Sequence, residues 1–402
     1  MSRLDYKRKK QKEIERLERK ESPFISFVRL HAGLIGLCFI VLLVITAAAL
    51  IGTNPEFKDH FSNNAELYLD ENTVFEMPYT QQENSVIKPM GSNTIVCAKE
   101  KIFSLSESGK TQWEIPVVLN KPLLSICGDY ILACDRGGRD IYLINNGKVI
   151  LQSLSSYAIT NAKVASDGKF VIVSEEPYYK GLVTVRDAKN NEVFVWHSGS
   201  AYIIDAQFGA NENKLALATL NTSSSSDEDV SKGLSSGMLM FNLYESAPYQ
   251  THTFDDCLIT NIYKADKGFL AVTDKKTICV DEEGAIGTEF VYEDKAVNKI
   301  YKGDSLLVLC LEKDNGQKSV VALDNKAHEK CNIDVRQTPS FISAHADRIA
   351  YGTAGSIAVC DSTGKELYLI QTPKKYNSFF LLEGTKRATG VTGTAIDIIE
   401  IK

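Results

Sequence analysis

The sequence predicts an all-β fold: a β-propeller of eight four-stranded blades, with seven as the alternative. An N-terminal strand closes the ring, and one transmembrane helix precedes it. Three observations lead there: a four-strand pattern recurring about every 40 residues, no long helical periodicity after residue 64, and a single uncharged apolar run near the N-terminus. The division that follows is a basic cytoplasmic segment over 1–30, a signal-anchor helix over 31–53, a linker over 54–64 and an extracytoplasmic propeller over 65–402.

The apolar run, Gly33–Gly52, holds twenty residues without a charge. As a helix it would be about 30 Å long, enough to cross the hydrocarbon of a bilayer. Residues 1–30 carry ten Lys/Arg and five Asp/Glu. After the run come Glu56, Lys58, Asp59, Glu66, Asp70 and Glu71. This asymmetry predicts an N-terminus in the cytosol and the remaining chain outside. Ala47-Ala48-Ala49 resembles a signal-peptide cleavage site, but the apolar run continues through Leu50 and Ile51 and exceeds the usual signal-peptide core, so the expectation is an uncleaved, single-pass integral anchor.

The repeat is a short apolar run, a turn, a second run, and then a further pair ending in Gly-Lys or a similar turn. It begins at Ser85, Pro122, Ile259 and Phe341, among other places. Turns rich in Gly, Asp and Asn suit hairpins, and Asp167-Gly168 is the strongest such signal. The turns before each fourth strand fall at Gly109, Gly147, Asn190, Glu245, Gly284, Lys326 and Gly364, at intervals of 38, 43, 55, 39, 42 and 38. The long interval holds a Ser-rich acidic insertion, Asn221–Gly237, which reads as a disordered loop. Seven units fill Ser85–Pro373. The tail adds three strands, and Ala65–Pro78 offers the missing fourth, which would begin on the face formed by the a–b and c–d turns (strands a to d counted outward from the axis). The linker enters on that face, and the expectation is that it lies nearer the membrane.

This pattern resembles the WD40-like and pyrroloquinoline-quinone-repeat-like propellers. More narrowly it resembles a bacterial family of single-pass, membrane-anchored propellers of unknown function. No WD dipeptide recurs, and with only Trp113 and Trp196 in the chain the repeated docking tryptophan of the quinoproteins is missing. The resemblance implies that b–c and d–a loops share one propeller face.

The formal charge of −6 conceals a net −11 beyond residue 30. An acidic propeller argues against nucleic acid as partner, since phosphate backbones need a basic footprint. Of nine cysteines, Cys97, Cys134, Cys279, Cys310 and Cys360 lie in strand-like runs and read as buried free thiols. Cys257 and Cys331 read as loop residues. No C-x-x-C pair supports a zinc site.

Three consecutive repeats carry long b–c loops: Arg136 and Arg139 in the first, Glu175, Glu176, Tyr178, Tyr179 and Lys180 in the second, and the insertion in the third. Paired tyrosines beside charges form a candidate interaction surface. Catalytic signals are weak. Gly233–Gly237 matches G-x-S-x-G without the strand-turn-helix that motif needs. His345-Ala346-Asp347 reads as an a–b turn, His197 as an outer-strand residue and Asp314-Asn315-Gly316 as a turn. No metal ligands, cofactor or catalytic residues are assigned. The expected function is a non-enzymatic, membrane-tethered scaffold that presents loops to a protein, peptide or envelope glycan. The alternatives are a propeller enzyme (a quinone-cofactor dehydrogenase or a glycan-cleaving enzyme) and a sensor relaying through the cytosolic tail.

Overall fold

A computed structural model describes residues 7–12, 72–79, 84–222, 234–353, 355–384 and 386–401. The chain divides into two units, Met1–Tyr68 and Leu69–Lys402. In the first, residues 7–12 are helical and exposed. The apolar run Gly33–Gly52, the linker and most of the Ser-rich insertion lie outside the described residues. Among the described residues no helix is long and apolar enough to cross a membrane.

The second unit is an eight-bladed propeller. Each blade is a four-stranded antiparallel sheet with strands paired in sequence order, and the blades begin at Val86, Pro122, Ile159, Ala201, Ile259, Lys295, Ile342 and Ser378. The eighth sheet joins Ser378–Leu381, Arg387–Val391 and Ala395–Glu400 to the N-terminal strand Thr73–Pro78. Thr73 pairs with Ile399 and Pro78 with Ala395, so the chain enters this strand from the a–b/c–d face, opposite the b–c loops. All seven turns marked in the sequence fall between strands c and d of their blades.

Alternation places the core. The second strand of each blade is covered on both sides, which is why these strands read as unbroken apolar runs rather than alternating ones. In Gly268–Thr273, Phe269 and Ala271 pack toward blade 4, while Leu270 and Val272 pack toward blade 6. The apolar core accordingly falls into eight clusters, one at each junction of successive blades. The junction of blades 8 and 1 is a full member: Val96, Phe103 and Leu105 meet Phe380, Val391 and Ile396.

Two devices fasten the ring. Outer strands dock on the c–d turn of the next blade. The Trp113 ring abuts Gly147, and the Phe75 ring of the N-terminal strand abuts Gly109, where a Cβ would lie 2.1 Å from the ring. Both glycines have positive φ, so both conformation and space demand glycine there. Gln250 on Gly284 and Ile333 on Gly364 repeat the contact, so the docking geometry persists although most of the tryptophans are absent. The second device is ionic. Lys374 Nζ donates to Glu76 of the N-terminal strand at 2.9 Å and to the fully buried Asp397 at 2.8 Å, and Tyr376 OH donates to Asp397 at 2.7 Å.

Two local expectations need correction. Cys331 is a buried residue of strand Glu329–Val335, because its side chain joins the junction of blades 6 and 7. The insertion is shorter than expected: strand b of blade 4 runs to Thr222 and strand c starts at Leu234, with Asn221 opposite Ser235. Ser235 of the G-x-S-x-G match therefore sits in a regular sheet. The eight described cysteines are free thiols; Cys257, in the loop before blade 5, is nonetheless buried.

Candidate functional site

Two regions gather functional side chains, one on each face. On the b–c face, the loop between Phe170–Ser174 and Gly181–Arg186 is braced against its surroundings. Glu176 Oε2 lies 2.6 Å from His197 Nδ1, and the Tyr179 ring sits 5.0 Å from the His197 ring. Lys180 Nζ donates to Tyr202 OH at 3.0 Å and stands 4.4 Å over that ring, a cation–π contact on the first strand of blade 4. Between these braces Tyr178 takes φ 73 and is fully exposed. A left-handed conformation is costly for an aromatic residue and is sustained by the fixed ends of the loop.

Of the sequence-predicted residues, Glu176, Tyr178, Tyr179 and Lys180 stand together. Glu175 is exposed, and its backbone N–H binds Ala158 O. Arg136 and Arg139 occupy the corresponding loop of blade 2. Arg139 Nε donates to Ser155 O at 2.6 Å, and Arg136 bridges to Ile159 through its backbone. Among the described residues no side-chain hydrogen bond or ion pair joins either arginine to the tyrosine cluster. His197 and Tyr202 complete the cluster. Sequence reasoning missed both as members, because they belong to strands adjacent only in space.

The second region is the central channel, a cavity of about 890 Å³ bounded by the first strands of all eight blades and by their a–b turns. Lys88, Lys163, Lys264 and Lys302 line it, as do Tyr263 and Tyr301. Lys163 stands 3.7 Å from Asp205, whose carboxylate also accepts from Asn161 Nδ2, Ala206 N and Ile262 N. Lys264 lies 3.5 Å from Glu212, which also accepts from the Ser166 and Asp167 backbone. Lys88 and Lys302 have only carbonyl acceptors: Leu124 O for the first, Gly303 O and Asp304 O for the second. Enclosure by protein, with Lys163 nearby, pushes Lys88 down to about 8; enclosure pushes Lys302 down to about 8 against the opposing pull of Asp304 and Asp266. The Lys88 side chain is nonetheless exposed to solvent. At the rim His345 Nδ1 lies 2.8 Å from Asp304 Oδ2 of the neighbouring blade, so this a–b turn residue is tied to blade 6 rather than to Asp347. Among the described residues no group of three or more His, Cys, Asp or Glu is placed to hold a metal ion.

The fold is shared widely. The computationally designed protein Ika8 superposes with a TM-score of 0.59 at 12% identity, covering 82% of this chain and 100% of that one. A quinohemoprotein alcohol dehydrogenase from Pseudomonas putida HK5 gives 0.54 at 10% identity, covering 84% and 78%. BamB from Moraxella catarrhalis gives 0.52 at 12% identity, covering 82% and 97%. These likenesses are of fold alone. No curated protein matches the chain. Residues 64–401 match the model described as a family of unknown function, DUF5711, and the chain belongs to that family.

Proposed function

We propose that this protein is a non-enzymatic binding platform, tethered by Gly33–Gly52 in the cell membrane, with its N-terminus in the cytoplasm and its propeller outside. The support for the tether is the length of the uncharged run and the excess of Lys/Arg before it. The partner is a protein or peptide of the cell envelope that docks on the b–c face around Tyr178.

One observation carries this reading. Tyr178 stands fully exposed in a left-handed conformation, on a loop pinned at both ends by Glu176–His197 and Lys180–Tyr202. A large aromatic presented in the open by a braced loop gives contact area at little cost in loop ordering on binding, which is how interface anchors work. Exposed Tyr179 and Tyr202 extend the patch.

The test is photo-crosslinking in intact cells from a benzoyl-phenylalanine at position 178, followed by affinity measurement with the captured partner. Tyr178→Ala with Tyr179→Ala is expected to weaken binding about 30-fold, the loss of about 2 kcal/mol typical of an anchor. Leu369→Ala, an exposed outer-strand change on blade 7, is expected to leave it unaltered. Retention of every specific partner by the double tyrosine variant overturns the proposal.

A further inference from the structure

The channel lysines are not explained by packing. Four amines from blades 1, 3, 5 and 6 converge on one cavity of about 890 Å³, a volume within the usual range of small-molecule sites. The two carboxylates paired with them are already occupied: Asp205 by three hydrogen bonds besides Lys163, and Glu212 by the blade 3 turn besides Lys264. Lys88 has one carbonyl acceptor for three donors, and Lys302 has two. Lys88 and Lys302 thus face the cavity with donors to spare. Three carboxylates share the lining: Asp304, which meets His345, Asp266, which accepts from Asn325, and Glu383 beside Gly91.

We propose that the channel binds a phosphate-bearing small anion, its phosphates held by Lys88 and Lys302 and its body lying along Tyr263 and Tyr301. Lysine ammonium groups are effective point-charge partners for phosphate. Amines spread over several blades suit a ligand with more than one anionic group. Both tyrosines line the cavity, and burial raises both hydroxyls, so they remain neutral donors. The site opens among a–b turns such as Gly91, Gly128 and Gly303, on the face opposite Tyr178, and is independent of the partner surface proposed above.

The proposal has a pH signature. The groups acting on Lys88 are Lys163 and Asp205, and those acting on Lys302 are Asp304 and Asp266, with His345 bound to Asp304. A bound phosphate favours the charged amines, so binding takes up protons and affinity falls as pH rises through about 8.

The experiment is calorimetric titration of the full chain in neutral detergent, with inorganic pyrophosphate as one probe and monomeric dihexanoyl-phosphatidylglycerol as the other. At least one probe is expected to saturate at one site per chain, to weaken with added salt, and to lose at least tenfold in affinity in the variant carrying Lys88→Gln and Lys302→Gln. Lys275→Gln, in the exposed b–c turn of blade 5 on the other face, is expected to change nothing. Pyrophosphate alone binding indicates a free phosphorylated compound, and the lipid alone a headgroup. On the unaltered protein, acetylation of amines read by mass spectrometry is expected to show Lys88 and Lys302 protected by the bound probe and Lys180 unprotected, which decides the matter even if the double variant fails to fold. No saturable binding of either probe, or binding that neither requires nor shields the two lysines, overturns the inference.

Discussion

In the first strand of blade 3, Ala162 and Val164 are buried against blade 2, while Lys163 between them lines the channel. The first strand of blade 4 does the same with Ala206, Gln207 and Phe208. Alternate residues of one strand thus serve two environments. The side that packs against a neighbour is apolar, Ala162 and Val164 in blade 3 and Ala206 and Phe208 in blade 4, because it must fit between sheets about 10 Å apart. The side facing the channel varies from blade to blade: lysine, glutamine, tyrosine. Packing constrains one side and leaves the other free, so whatever is unusual on the channel side has a cause other than folding.

Core truncation tests the first half of that contrast most severely. Phe269 is fully buried between blades 4 and 5. Phe269→Ala is expected to lower stability by about 3–5 kcal/mol, through lost burial and the cavity left behind. Denaturant unfolding measures it. A loss below about 1 kcal/mol would mean that the blade junctions are loosely packed and that the two sides are not so different.

A smaller effect is expected where the ring closes. Asp397→Ala leaves Tyr376 OH and Lys374 without their common acceptor, although Lys374 retains Glu76. Burial alone would lower Lys374, but its hydrogen bonds with Asp397 and Glu76 raise it. A raised lysine contributes stability that is complete below its ordinary value near 10.5 and is lost in alkali above it. The variant is therefore expected to be about 2–3 kcal/mol less stable at pH 7, with the gap from the unaltered protein narrowing above pH 11. Equal stability at both pH values would assign closure to the apolar junction of blades 8 and 1 alone.

The same contrast explains what could be read in advance. The blade count followed from turns such as Gly109, Gly147 and Gly364, since a turn with positive φ has a strong residue preference. The Tyr178 loop was legible as an insertion between apolar runs, yet its braces were not: His197 and Tyr202 come from other strands, and nothing local marks them as neighbours. The lysines carried a faint signal. Tyr263-Lys264 and Tyr301-Lys302 each precede an a–b turn, a coincidence visible only once the repeats are set in register. Lys88 and Lys163 had no such sign, because convergence on a channel is a property of the closed ring. The expected long disordered insertion was overdrawn because serines at 235 and 236 extend a strand as readily as a loop when Ser236 can bond Thr219 O.

The smallest effect bears on the channel side alone. Enclosure lowers Lys88 to about 8, below its ordinary value, so the folded chain binds fewer protons than the unfolded chain between about 8 and 10.5. Stability therefore rises with pH across that window, and the cost of holding the charge among the channel walls is greatest below it. Removing the amine removes the cost. The exposure of Lys88 to solvent moderates the penalty, so Lys88→Met in a buffer free of phosphate is expected to raise the melting temperature at pH 7 by about 1–2 °C. By pH 10.5 the difference should vanish. Scanning calorimetry at both pH values reads it. A residue kept at a cost to stability is the mark of a site maintained for binding; a fall in melting temperature at pH 7 would instead make Lys88 a structural strut between blades 1 and 2, through its bond to Leu124 O, and would erase the distinction between the two sides of the strand.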